Sequence, residues 1–144
     1  MAKVEAIDPI QNQSPPAVEL LVRADASQLS IIRAVSAAIA GQADFDLDSI
    51  ADVRLAMDEA CSILILRALE GTTLSCRFQS TPEELRVTIN AQVSELDTTS
   101  QRSFGWHVLN TLTDSIVMTR DADPEQANGI VATIEFTKTK VSDA

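Results

Sequence analysis

Leu55-Ala56-Met57-Asp58-Glu59-Ala60-Cys61-Ser62-Ile63-Leu64-Ile65-Leu66 contains neither Gly nor Pro and lies in the middle of a long helical pattern. At a helical period Ile50, Val53, Met57, Ala60, Cys61 and Leu64 fall on one face, as in an amphipathic helix packed on a core. The opposite side is apolar as well. Leu55, Ile63 and Leu66 lie there, and Glu59 sits among them, one turn from Leu55 and one turn from Ile63. A helix apolar nearly all round is normally covered on both sides. The pattern therefore predicts that Glu59 faces a cavity, a ligand, a partner or a buried cation. The plain alternative is an acid at the rim of the core, paired to an Arg or reaching water.

Asp46 or Asp48 can cap this helix, which runs to about Leu69 before Glu70-Gly71 stops it. Upstream, Ala17 to Ala24 reads as a strand. A first helix follows, capped by Asp25 or Ser27, with Leu29, Ile32, Val35 and Ile39 in its apolar stripe, Arg33 off that stripe, and Gly41 at its end. Downstream, Thr73 to Gln79 and Leu85 to Ala91 alternate as the arms of a hairpin whose turn holds Pro82. Gln92 to Gln101 is polar and irregular. A short helix from Ser103 to about Thr113 is expected to bury Phe104, Val108, Leu109 and Leu112. Ile116 to Thr119 and Ile130 to Lys138 read as the last strands, joined by a polar loop. Residues 1–16 are expected to be a disordered leader, 17–139 a single domain and 140–144 a tail. The order β-α-α-β-β-α-β-β predicts an α+β fold: a two-layer sandwich of a mixed, mostly antiparallel sheet with helices on one face.

Composition narrows the function. A chain of 144 residues with 45% hydrophobic content can build one real core. A formal net charge of −10 argues against non-specific nucleic-acid binding, which needs clustered cations, and suits docking onto a basic protein surface. No apolar run reaches the roughly 18 residues of a membrane span, and no signal-peptide core opens the chain, so a cytoplasmic protein is expected. Cys61 and Cys76 make no disulfide framework there and read as small core residues, with any redox role left open. One His gives no metal-ligand spacing, and no metal site is expected. The four glycines are dispersed, so no phosphate-cradling loop is visible. Trp106 and His107 lie off the most apolar stripe of the third helix. They are either a helix flank or an exposed aromatic anchor for a partner.

Residues 17 to about 138 resemble bacterial anti-sigma factors of the RsbW type, within the GHKL ATPase and histidine-kinase-like superfamily. Val18 through Ile39 with Arg33 matches the family's opening. Leu55 through Ile63 matches its N-box, usually L-A-x-x-E-A-x-x-N. Ser103 through Asp114 matches a segment usually of the form G-x-G-L-x-L-I-x-x-L-x-D. The likeness is strongest to the actinobacterial branch that controls a stress- or sporulation-type sigma factor. It implies the GHKL (Bergerat-like) fold, a sigma-factor partner, a STAS-domain anti-anti-sigma antagonist, a homodimer, and Mg-ATP used by a serine kinase. By the resemblance Glu59 is the catalytic base. Glu59, Ile63, Ala91, Val93 and Gly105 occupy nucleotide-site positions, and Arg33 matches an Arg near the partner surface.

Departures from the family pattern bear on the nucleotide. The Asn expected to hold Mg²⁺ is Ile63, which has no oxygen to give. The D-x-G-x-G loop aligns with Ala91-Gln92-Val93-Ser94-Glu95, so Ala91 stands for the adenine-reading Asp, and Val93 and Glu95 replace both glycines. Ser103 replaces another glycine, and Gly105 is kept. The expectation is an anti-sigma factor that sequesters its sigma factor, needs no cofactor, binds nucleotide weakly or not at all, and is released by its antagonist. The alternative is an active ATP-dependent serine kinase acting on the antagonist. A third reading is a scaffold of this fold with unrelated partners.

Overall fold

Strict alternation in the central strands sets the two layers. Leu74, Cys76 and Phe78, Leu85, Val87, Ile89, Ala91 and Val93, and Ala132, Ile134 and Phe136 are all buried. Residues between them, such as Arg77, Thr88 and Glu135, point the other way, because successive side chains in a strand face opposite sides. The computed structural model describes residues 17–94, 104–126 and 128–141. The expected leader at 1–16 and residues 142–144 of the expected tail lie outside them.

The chain runs through β1 (Ala17–Arg23), one 3₁₀ turn (Ala26–Gln28), α1 (Leu29–Gln42), α2 (Leu47–Arg67), β2 (Thr73–Ser80), β3 (Glu84–Val93), α3 (Phe104–Leu112), β4 (Ser115–Ala122) and β5 (Ile130–Thr139). The strands form one sheet in the order β1-β2-β3-β5-β4. Every pairing in it is antiparallel, so the sheet is more regular than the mixed one expected. The two-layer α+β architecture is as the element order implied. The core lies between the helices and the inward face of β2, β3 and β5.

Local chemistry explains the boundaries. Asp25 accepts from the Ser27 N–H at 2.9 Å and starts the 3₁₀ turn that leads into α1. Asp46 accepts from the Ser49 N–H at 2.7 Å and caps α2. These bonds to backbone and hydroxyl hold both carboxyls below the usual range. Gly71, at φ +79°, makes the left-handed turn into β2. Gly41 does not end α1. The helix continues to Gln42, and Asp44 takes the left-handed position at φ 66°. Asp is among the residues whose short polar side chain tolerates that region.

The outward face of the sheet is polar. Arg77 pairs with Glu19, which lies opposite it across β1 and β2, and Arg86 pairs with Glu84 and Glu135. These groups are between about a third and a half exposed, so the pairs set register more than they add stability.

Candidate functional site

The helical layer is centred on α2, which packs between α1 and α3. Its C-terminal end is sewn to β3: the Leu69 N–H donates to Gln92 O at 2.9 Å, the Ser94 N–H donates to Arg67 O at 3.1 Å, and Ala68 bridges Val93. Farther up the helix, Lys138 of β5 donates to Asp52 at 3.1 Å and to the Leu112 carbonyl at the end of α3 at 3.2 Å. The Lys138 side chain is only 16% exposed, so this one cation fastens α2, α3 and the sheet together.

The inner face of α2 is as expected: Val53, Met57, Ala60, Cys61 and Leu64 are buried, and Ile50 packs against them. The second face differs from expectation. Ile63 packs against the core, but Leu55 is 52% exposed and Leu66 80% exposed. Among the described residues that side of α2 is therefore open at Leu55 and Leu66 instead of covered. Glu59 sits on it, half-buried, with no hydrogen bond or ion pair among the described residues.

Arg33 of α1 reaches Asp58 of α2, with Nε and Oδ1 3.1 Å apart. Both atoms are buried, yet they are not aligned as a hydrogen bond, so the contact is charge against charge. The sequence marked Arg33 but missed Asp58 as its partner. Pairing between helices leaves no signal at a fixed spacing.

Ala91 and Val93 point into the helix–sheet layer and are 2% and 1% exposed. They pair across the ladder with Ala132 and Ile130. By the resemblance, the positions of the family's Asp and first loop glycine thus fall here at the end of a regular strand. Gly105 lies in the first turn of α3, whereas Glu95 and Ser103 fall outside the described residues. Trp106 is half-buried and packs against the core, and His107 is exposed on the neighbouring flank. Phe104, expected in the core, is 82% exposed instead.

A second acid went unnoticed in the sequence. Asp123, only 8% exposed, accepts from Gln92 Nε2 at 2.8 Å and from the Glu125 N–H at 2.9 Å, and so pins the loop between β4 and β5. Its signal, an Asp in a turn, is too common to single out.

Cys61 and Cys76 are both fully buried, one on α2 and one on β2. A hydrogen bond with Cys76, followed by burial, pushes the Cys61 thiol well above its ordinary value. Both thiols are shut away from reagents by burial, so both cysteines should be inert in the folded protein. An aromatic disulfide reagent at pH 8 is expected to label them only as fast as the fold opens. Immediate labelling of either would refute this placement.

The histidine kinase-like ATPase domain family matches residues 22–133, from within β1 to within β5. The chain is 34% identical over 128 residues to the anti-sigma-F factor RsbW of Mycobacterium tuberculosis, in strains CDC 1551 / Oshkosh and ATCC 25618 / H37Rv alike. That match spans 89% of this chain and 76% of the relative. Among the described residues no helix is long and apolar enough to cross a membrane. With the family model matched across residues 22–133 and a relative 34% identical over 89% of the chain, the chain belongs to the histidine kinase-like ATPase domain family, among its RsbW-type anti-sigma factors.

Proposed function

We propose that the protein sequesters an alternative sigma factor in the cytoplasm, acts as a homodimer, and is released by a STAS-domain anti-anti-sigma factor, with little or no use of nucleotide. The observation that carries the nucleotide part is the hydrocarbon at Ile63, Ala91 and Val93. Mg-ATP needs oxygen donors for a hard cation and a polar group to read the base. An aliphatic side chain against the core and two apolar residues buried in the sheet supply neither. The residues present do not fit the group. Binding of a sigma factor is drawn from the relative's name and needs only a surface.

Titration calorimetry tests both halves. The cognate sigma factor is expected to bind without nucleotide, while Mg-ATP gives no Mg-dependent isotherm. A low-micromolar Mg-ATP affinity, or phosphate transfer to the antagonist with Glu59 as base, would overturn the nucleotide half in favour of a kinase. Failure to bind any alternative sigma factor would overturn the sequestering half.

Arg33 is the proposed polar contact for a partner, with Trp106 and His107 on α3 a further contact surface. Its side chain is 43% exposed and Asp58 is 35% exposed, so their pair adds little to stability in water. Arg33→Ala should therefore weaken sigma or antagonist binding by about 1–3 kcal/mol, the worth of a charge-assisted contact at an interface. The melting temperature should stay nearly fixed. Unchanged affinity for both partners would remove Arg33 from the interface.

A further inference from the structure

We propose that the open side of α2 is a docking surface for a basic amphipathic helix of the sequestered partner. The proposal rests on the reading that no nucleotide occupies this side of the helix.

The outward stripe of α2, taken at 100° per residue, runs through Asp48, Asp52, Leu55, Glu59, Ile63 and Leu66. Leu55 and Leu66 stand 11 residues apart, three helical turns, and are exposed at 52% and 80%. Large apolar side chains spaced by whole turns on an exposed helix face form the counterpart of a helix that lays its own apolar edge alongside. Isolated exposed leucines need no explanation, but two on one face of the element that organises the core do.

Charge settles what kind of helix fits. Asp48, Asp52 and Glu59 lie in this stripe and no Lys or Arg does. Arg54 and Arg67 lie off to the sides of it. Asp52 is held by Lys138, which leaves Asp48 and Glu59 to face a partner. Glu59 has no partner among the described residues and sits between the two leucines, so a helix docked there is asked for a cation at its middle. An acidic partner would leave Glu59 repelled and partly desolvated. A basic amphipathic helix is also what nucleic-acid-binding proteins present to phosphate, so its capture would hide that surface.

The test uses the full chain and two synthetic amphipathic peptides of about five helical turns, one of Leu and Lys and one of Leu and Glu at matched positions. The Leu/Lys peptide is expected to bind and to weaken as salt rises. The double variant Leu55→Ser/Leu66→Ser should lower its affinity about tenfold or more, given what burying a leucine is worth. Glu59→Lys should weaken it as well. Leu21→Ser/Val117→Ser, on the outward sheet face, should leave it unchanged. Because all four leucine and valine positions are exposed, each variant should keep the wild-type melting temperature. Equal binding of both peptides, or affinity indifferent to the α2 double variant, would overturn the proposal. So would a wild-type dimer that the α2 variant splits, since a second copy would then own the face. Displacement of the peptide by Mg-ATP would overturn the nucleotide reading together with this one. Absence of peptide binding in a protein that also ignores Mg-ATP would overturn this one alone.

Discussion

Ala91→Asp should cost the fold about 3 kcal/mol or more and confer no nucleotide binding. The substitution restores the residue that the family pattern carries there. In this chain the position is 2% exposed, paired to Ala132 near the end of the β3–β5 ladder and turned toward the helices. A carboxylate placed there would lose its hydration with no cation beside it. The cost of a buried, unpaired charge is a few kcal/mol even after the group takes up a proton. Ile63→Asn, at a half-buried position, should be milder, about 1 kcal/mol. Urea denaturation measures the first quantity and calorimetry with Mg-ATP the second. An Ala91→Asp protein with the wild-type midpoint and a measurable ATP affinity would mean that a working pocket survives beneath the apolar residues.

Leu64→Ala and Leu66→Ala should separate the two sides of α2 by their stability alone. Leu64 is fully buried in the contact between α2 and the sheet, whereas Leu66, two residues on, is 80% exposed. Truncating the first removes its hydrocarbon from the core and leaves a cavity, a loss of about 3 kcal/mol in typical series. For a domain of this size that lowers the melting midpoint by roughly 10 °C. Truncating the second should stay within about 0.5 kcal/mol, the range of ordinary surface changes. Equal losses at both positions would mean that the outer side of α2 is covered in solution.

Most of the fold was legible in the sequence because its signals are local. Asp46 ahead of a long apolar period, Pro82 between two alternating runs and Gly71 after the central helix each mark a boundary through a capping bond, a fixed φ or a left-handed turn. The misreadings share a different origin. In α3, a stripe through Phe104, Val108, Leu109 and Leu112 and one through Trp106, Leu109 and Leu112 have two residues in common. Hydrophobicity cannot choose between them. Packing did: the buried centre falls at Leu109, and Phe104 lies about 140° away around the helix. Gly41 looked like a helix stop, yet a Cβ there would sit 4.0 Å from Ile50, an ordinary contact, and the chain turns three residues later at Asp44. The apolar pattern on the outer side of α2 implies cover because burial is the commonest fate of such a face. Periodicity reports that a surface is apolar and not what meets it. The candidate site was legible as a list of altered positions. Its geometry was not, since Arg33 with Asp58 and Lys138 with Asp52 are meetings between distant elements.

The sheet order has a consequence for how the molecule assembles and comes apart. β2 with β3 and β4 with β5 are each joined by a short connection, so those pairings close small loops and can form early. β1 meets β2 only after about fifty residues of intervening chain, carrying α1 and α2, have folded back. It then lies at the sheet's edge with one hydrogen-bonded neighbour and mostly exposed side chains. Such an edge forms last and is released first, at a free energy well below that of global unfolding. Its amides are the ones that would exchange with solvent deuterium ahead of the rest of the sheet.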